Sequence, residues 1–150
     1  MSDMKMLINY SNRYGDIIDT LTNLWKVSIS ASHFFLTDED INKLIPFVRN
    51  GIRDIETLIV AEENDLIIGF MGIDGKKLEM LFIEPSYFGK GLGKQLVALA
   101  LNEYKINYVD VNEQNLRAVG FYQRLGFEVF ERTELDEQGN PFPILKMKIR

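Results

Sequence analysis

The chain has 150 residues, 46% of them hydrophobic and 26% charged, which suits one ordinary domain with a buried core. A net charge of -5 and a pI near 4.9, with no lysine or arginine cluster over a face, argue against nucleic acid as a partner. With no cysteine and one histidine, disulfides and thiolate nucleophiles are excluded, and no structural or catalytic metal is expected.

The opening MSDMKMLINY lacks the basic start and apolar run of a signal peptide, and no apolar stretch approaches the roughly 20 residues of a membrane span. A cytoplasmic protein with no membrane partner is the expectation. A short strand is predicted over Met4–Asn9. Residues Asp16–Ser30 place Ile17, Leu21, Leu24, Trp25 and Ser28 at helical spacing, an amphipathic first helix. Thr37 followed by Asp38, Glu39 and Asp40 resembles a capping box, and Ile41, Leu44, Ile45 and Val48 continue a second helix. Gly51 is expected to stop that helix and Pro46 to kink or split it.

From Thr57 the pattern changes to TLIVAE, LIIGFMGID and KLEMLFIE, with turns at Glu63-Asn64-Asp65 and Asp74-Gly75-Lys76, an antiparallel meander. A glycine-rich loop leads into a helix over Gly91–Tyr104, a strand over Tyr108–Val111 and a helix over Leu116–Leu125, so a parallel crossover is predicted. Glu128–Leu135 and Ile144–Ile149, joined through Gly139, read as a closing hairpin. The order β-α-α-β-β-β-α-β-α-β-β is that of an α/β protein of the α+β kind: a mixed, twisted sheet of about six or seven strands, with about four helices covering both faces.

The stretch SYFGKGLGKQLVALAL puts the glycine loop at a strand-to-helix junction near the middle of that sheet. The first amides of a helix lack acceptors and the helix dipole is positive there, so an anion is a fitting partner. Gly89, Gly91 and Gly93 permit close backbone approach to a phosphate, while Lys90 and Lys94 add charge. A P-loop does not fit, because the glycines are one residue too close and Gln95 stands where a hydroxyl is needed. A dinucleotide fingerprint fails at Leu96, its third glycine position. A glycine turn that merely caps a helix remains the bland reading of the loop taken alone.

A second stretch, NEQNLRAVGFYQRLGF, decides between them. Together with LFIEPSYFGKGLGKQLV it closely resembles the GNAT superfamily of acyl-CoA-dependent N-acyltransferases. That family's loop pattern [Q/R]-x-x-G-x-[G/A] is matched at both glycines, Gly91 and Gly93, but Phe88 replaces its first residue. Its later pattern is matched in full by Asn115, Ala118, Phe121, Tyr122, Gly126 and Phe127. The likeness runs strongly from about residue 57 to 149. ASHFFLTDED and DEQGNPFPIL are similar to a small bacterial subgroup of undefined acceptor specificity.

The resemblance implies one N-acetyltransferase domain over residues 1–150 in which the fourth and fifth strands splay, with acetyl-CoA as co-substrate lying between them. It places the pyrophosphate on the amides of Gly89, Lys90, Gly91, Leu92, Gly93 and Lys94, and the pantetheine arm and acyl carbonyl on the backbone of Leu81, Phe82 and Ile83. Leu81 or Phe82 would then offer an N–H to the oxyanion. At Phe88, where the family's Gln or Arg helps order the loop, weaker cofactor binding is expected.

Aminolysis of a thioester also needs a proton for the departing thiolate. Tyr122 is the candidate general acid, its phenol at about 10 standing modestly above a thiol at about 8.5. Asn115, Val119 and Tyr122 share a helix face, so Asn115 and Tyr122 both face the cofactor unless Asn115 is only an N-cap and Tyr122 only a packing residue. Glu79, alone among apolar neighbours, is the candidate base with its affinity for a proton raised by desolvation; the alternative is a solvent-facing carboxylate. His33 lies in the region that, by family analogy, covers the acceptor, as an orienting or basic imidazole or simply a packed one.

The reading that results is an N-acetyltransferase acting on a primary amine by direct transfer, as a monomer or homodimer. An acidic protein would attract a polyamine, an aminoglycoside-like compound or a lysine-bearing or amino-terminal peptide. The alternative is a non-catalytic acyl-CoA-binding sensor.

Overall fold

The computed structural model describes residues 4–7, 10–11 and 13–150. Its elements follow in chain order: β1 Met4–Leu7, α1 Asp16–Ser32, α2 Asp38–Asp54, β2 Thr57–Glu63, β3 Leu66–Asp74 and β4 Lys77–Ile83, then α3 Leu92–Glu103, β5 Tyr108–Asn112, α4 Leu116–Arg124, β6 Phe127–Thr133 and β7 Ile144–Ile149. The first strand ends at Leu7, and the last two positions assigned to it from sequence lie outside the described residues. Among the described residues no helix is long and apolar enough to cross a membrane.

β2 and β3 are apolar almost throughout, so both of their faces must be covered. Alternation divides the work. Leu58, Val60 and Phe70 point into a core with Ile18, Leu21 and Trp25 of α1 and with Ile41 and Ile52 of α2. Ile59, Ala61 and Met71 point the other way, into a core with Leu96, Val97 and Ala100 of α3 and with Tyr122 and Phe127. The β2–β3 turn carries positive φ at both Asn64 (52°) and Asp65 (65°), the conformation of a two-residue hairpin loop whose twist matches the strands.

The seven strands form one sheet in the order β1-β2-β3-β4-β5-β7-β6. Every neighbour is antiparallel except β4 and β5, which run parallel and pair only at Lys77 with Tyr108 and Leu78 with Val109. Opposite β3, Leu78 faces Ile73 and Met80 faces Gly72, leaving Glu79 as an extra, bulged residue. Above that bulge β4 stays with β3 while β5 pairs along its whole length with β7. The sheet is therefore forked at its centre.

Lys77 sits at the base of the fork. Its Nζ is 2.8 Å from Asp110 Oδ2 on β5 and 3.3 Å from Glu79 Oε1 on β4. Burial alone would lower its pKa, but the Asp110 hydrogen bond and the two carboxylate charges outweigh it and hold the ammonium above its ordinary value.

α2 departs from the sequence expectation. It starts at the predicted capping box, with Asp40 N–H donating to Thr37 Oγ1 (3.1 Å) and Thr37 N–H to Asp40 Oδ2 (3.0 Å). It then runs through Pro46 and Gly51 as one helix to Asp54. Gly51 serves packing rather than termination: a Cβ there would lie 3.3 Å from Met80 Cε, so the missing side chain lets α2 close onto β4.

Among the described residues the α1 hydroxyl of Thr22, 7% exposed, has no hydrogen-bond partner. Thr22→Val keeps the shape and removes an unsatisfied polar group, so it should raise unfolding free energy by about 1 kcal/mol in urea denaturation. An unchanged or lower midpoint would show that the hydroxyl is satisfied in solution.

Candidate active site

Beyond Ile83 the chain makes a short turn, Pro85–Tyr87, opened by Glu84, whose carboxylate accepts the Ser86 amide at 2.9 Å. The amides of Phe88 and Lys90 are then consumed internally by the carbonyls of Pro85 (3.1 Å) and Tyr87 (3.3 Å). Gly89 (φ 74°) and Gly91 (φ 88°) take the left-handed backbone that side chains resist, and Gly91 caps α3. Among the described residues the amides of Gly89, Gly91, Leu92, Gly93 and Lys94 have no acceptor. Gly93 differs from the other two glycines. Its φ is ordinary, and a Cβ there would lie 3.2 Å from Ile83 Cδ1 and 3.4 Å from Phe121 Cζ, so it admits close packing of α3 on β4 and α4.

These amides border a cavity of about 390 Å³ between β4, the loop and α4. It gathers Leu81, Phe82, Ile83, Gly89, Gly91, Leu92, Gly93, Lys94, Asn115, Tyr122 and His33, all singled out in the sequence. Phe121, a member of the same family pattern, borders it as well. Two expected residues lie elsewhere. The Lys90 ammonium rests 5.6 Å from the Tyr87 ring centroid and faces a neighbouring depression, and with its amide engaged Lys90 offers this cavity little. Glu79 is on the other side of β4.

The cavity's charge is uneven in a telling way. Among the described residues Lys94, Arg117 and Arg124 line it and no carboxylate does, in a chain with 22 acids against 17 bases. Because β4 beyond Leu78 has no partner on its β5 side, alternate N–H and carbonyl groups there are free of the ladder. An extended ligand with an anionic end therefore meets hydrogen-bonding edge, free amides and positive charge in succession. Acetyl-CoA has that constitution, and the residues present fit it.

α4 delivers the remaining groups. Asn115 caps it, its Oδ1 accepting Ala118 N–H at 3.2 Å. Tyr122, 7% exposed, packs edge-on against Phe121 (5.0 Å) and Phe127 (5.6 Å), and among the described residues its hydroxyl has no partner. Burial pushes the phenol well above its ordinary pKa, so it stays protonated at neutral pH.

The cap also fixes the state of His33. With Asn115 Oδ1 committed to Ala118, its Nδ2 donates to His33 Nε2 at 3.2 Å. The other ring nitrogen must then carry the proton and donate to Ser32 Oγ (2.8 Å), whose own hydrogen goes to the Ser28 carbonyl (2.8 Å). Burial lowers the imidazole pKa to about 4. The imidazole is thus neutral with its lone pair occupied, an arrangement that ties the end of α1 to the start of α4 and favours positioning over the basic role weighed from sequence.

On the α1–α2 side of β4 lies a larger cavity of about 790 Å³. Trp25, Leu44 and Phe47 give it an apolar wall, and among the described residues Asp54, Asp74, Glu79, Asp110, Asp136 and Glu137 line it against one cation, Lys146. Glu79 does face this cleft, but it is exposed and held by Lys77 at 3.3 Å rather than desolvated. Phe82 borders both cavities, the one residue they share among those described. Asp110 escaped the sequence reading although it carried the same signal as Glu79, a single acid within an apolar strand.

Residues 35–150 match the acetyltransferase (GNAT) domain family. The chain is 34% identical over 142 residues to the peptidyl-lysine N-acetyltransferase YjaB of Salmonella typhimurium, covering 95% of this chain and 98% of that one. It is 37% identical over 129 residues to the Escherichia coli protein of the same name, covering 86% and 88%. The solution structure of apo-form YjaB from Escherichia coli superposes with a TM-score of 0.84 at 36% identity, over 96% of this chain and 97% of that one. An N-acetyltransferase from Thermoplasma acidophilum, solved with coenzyme A, shares the fold at a TM-score of 0.70 and 23% identity, over 96% and 99%.

His33 is the chain's single imidazole, so proton NMR reads its titration without ambiguity. We expect a pKa near 4. Because the folded value lies below the unfolded one, near 6.5, stability is fully present above about pH 6.5 and declines as pH falls toward 4, by on the order of 3 kcal/mol. That share of the acid loss should vanish in His33→Gln; a titration near 6.5 would contradict the locked tautomer.

Proposed function

The chain belongs to the acetyltransferase (GNAT) family, and from that membership we propose that it acetylates the side-chain amine of lysine in peptides or proteins. It is an N-acetyltransferase that uses acetyl-CoA. The observation that carries the choice of acceptor is the charge division across Phe82: a cation-lined cavity with five free amides on one side, an acid-lined cavity on the other. The first suits an anionic donor and the second a cationic amine, and the apolar wall of Trp25, Leu44 and Phe47 suits the four-carbon stem of a lysine.

In this reading acetyl-CoA supplies a thioester, and the chain's own groups do the rest. The amides of Gly89, Gly91, Leu92, Gly93 and Lys94 hold the pyrophosphate. The free edge of β4 at Leu81, Phe82 and Ile83 aligns the pantetheine arm and offers an N–H to the thioester carbonyl. Tyr122 donates a hydrogen bond to the sulfur from a hydroxyl that burial keeps un-ionised, and its proton follows as charge develops there. On the far side Glu79, with Asp110 beside the same Lys77 ammonium, draws in the acceptor and takes its proton. The whole residue range acts as one acetyltransferase domain, and transfer is direct, both ligands being held together.

Thiol release from acetyl-CoA should depend on a lysine peptide and exceed that with spermidine or an aminoglycoside. A polyamine outperforming every peptide would refute the acceptor assignment. Tyr122→Phe should lower kcat about 100-fold or more with CoA affinity little changed, and full activity in a chemistry-limited assay would remove the general acid. Glu79→Gln should abolish the acidic limb of the kcat/KM pH profile; an unaltered limb would transfer the base role elsewhere.

A further inference from the structure

We propose that Arg117, reaching over from α4, is the side chain that neutralises the CoA pyrophosphate, and that Phe88 is the platform that holds it there. The inference rests on the acetyl-CoA reading and adds to it a residue pair.

The Arg117 guanidinium carbon lies 5.0 Å from the centroid of the Phe88 ring. It also overhangs the loop, since a Cβ built on Gly89 would be 3.9 Å from Arg117 Nη2. Gly89 is the first residue of the loop whose amide has no acceptor. The guanidinium, the free amide and the positively charged helix start thus converge on one edge of the 390 Å³ cavity, with Lys94 beside them. Among the described residues Arg117 has no ion pair or hydrogen bond, whereas Arg49, Arg132 and Arg150 each meet a carboxylate. An unpaired guanidinium in a chain of net charge -5, in a cavity without acids, is a cation kept available for an anion from outside.

Chemistry favours an arginine here. A guanidinium presents parallel N–H donors to two phosphate oxygens and stacks on an aromatic face, which a lysine cannot do equally well. Stacking restricts the rotamers of a long exposed side chain before the ligand arrives, so less freedom is lost on binding. Phe88 therefore acts through Arg117, as a positioning residue. Its own amide is occupied by the Pro85 carbonyl, so the ring is what it contributes. Lys90, the nearest cation along the loop, is turned toward Tyr87.

Isothermal titration of CoA, dephospho-CoA and pantetheine against the wild-type chain, Arg117→Ala, Phe88→Leu and Phe88→Trp tests the pair. Arg117 is exposed, so an unchanged circular dichroism spectrum and melting temperature are expected for the apo variant. Arg117→Ala should weaken CoA and dephospho-CoA alike, by about 10–100-fold, and leave pantetheine unaffected. Phe88→Leu should give a smaller loss of the same pattern and Phe88→Trp should restore affinity. Undiminished CoA affinity in Arg117→Ala would overturn the assignment. So would a loss confined to CoA, which would move the guanidinium to the 3′-phosphate, or an equal loss for pantetheine, which would make its role structural. A wild-type chain that binds none of the three would remove the acetyl-CoA reading itself, a result distinct from each of these.

Discussion

The parting of β4 from β5 is the constraint on which the site depends. Two residue pairs join the strands, and then the bulge at Glu79 turns β4 away while β5 is retained by β7. An unpaired strand edge in the middle of a sheet is costly unless something satisfies it. Here the opening is held at its base by Lys77, which bridges a carboxylate from each arm, and it is flanked by helices on both faces of the sheet. The edge that the fork exposes is a ready template for an extended ligand, and the same opening brings the two cavities into contact.

Electrostatics then distinguish the two sides without any change of backbone. The acidic surplus is unevenly distributed: among the described residues six carboxylates line the larger cavity and none lines the smaller. The separator is Phe82, whose ring also packs against Phe70 at 5.6 Å. Anchoring that ring in the α1–α2 core gives the boundary between the two cavities a rigid support. The His33–Asn115 contact supplies a second tie, joining a helix that borders the larger cavity to the helix that carries Tyr122.

Much of this was legible in the sequence because it is local. The hairpin strand Ile144–Ile149, the capping box at Thr37 and the β2–β3 turn depend on neighbours within a few residues, and each was read correctly. Gly51 was misread because its reason lies in Met80, thirty residues away. Gly93 was grouped with Gly89 and Gly91, although contact with Ile83 and Phe121 explains it better than backbone freedom. Most residues that line the smaller cavity were singled out through a family pattern, whereas Arg117, Asp110 and the partner of Glu79 were not. Their significance arises only when separate elements meet across the fork, and no short window of sequence contains both sides of such a meeting.

Cavities that touch through a single ring have a kinetic corollary. If one holds the donor and the other the acceptor, as proposed, each is open to exchange while the other stays occupied. On the proposed reading, a spent nucleotide would be exchanged for a fresh one while a long polypeptide stays in place, and a substrate with several closely spaced amines would be modified more than once per encounter. In that reading, the thickness of one phenylalanine separates a single mark from repeated ones.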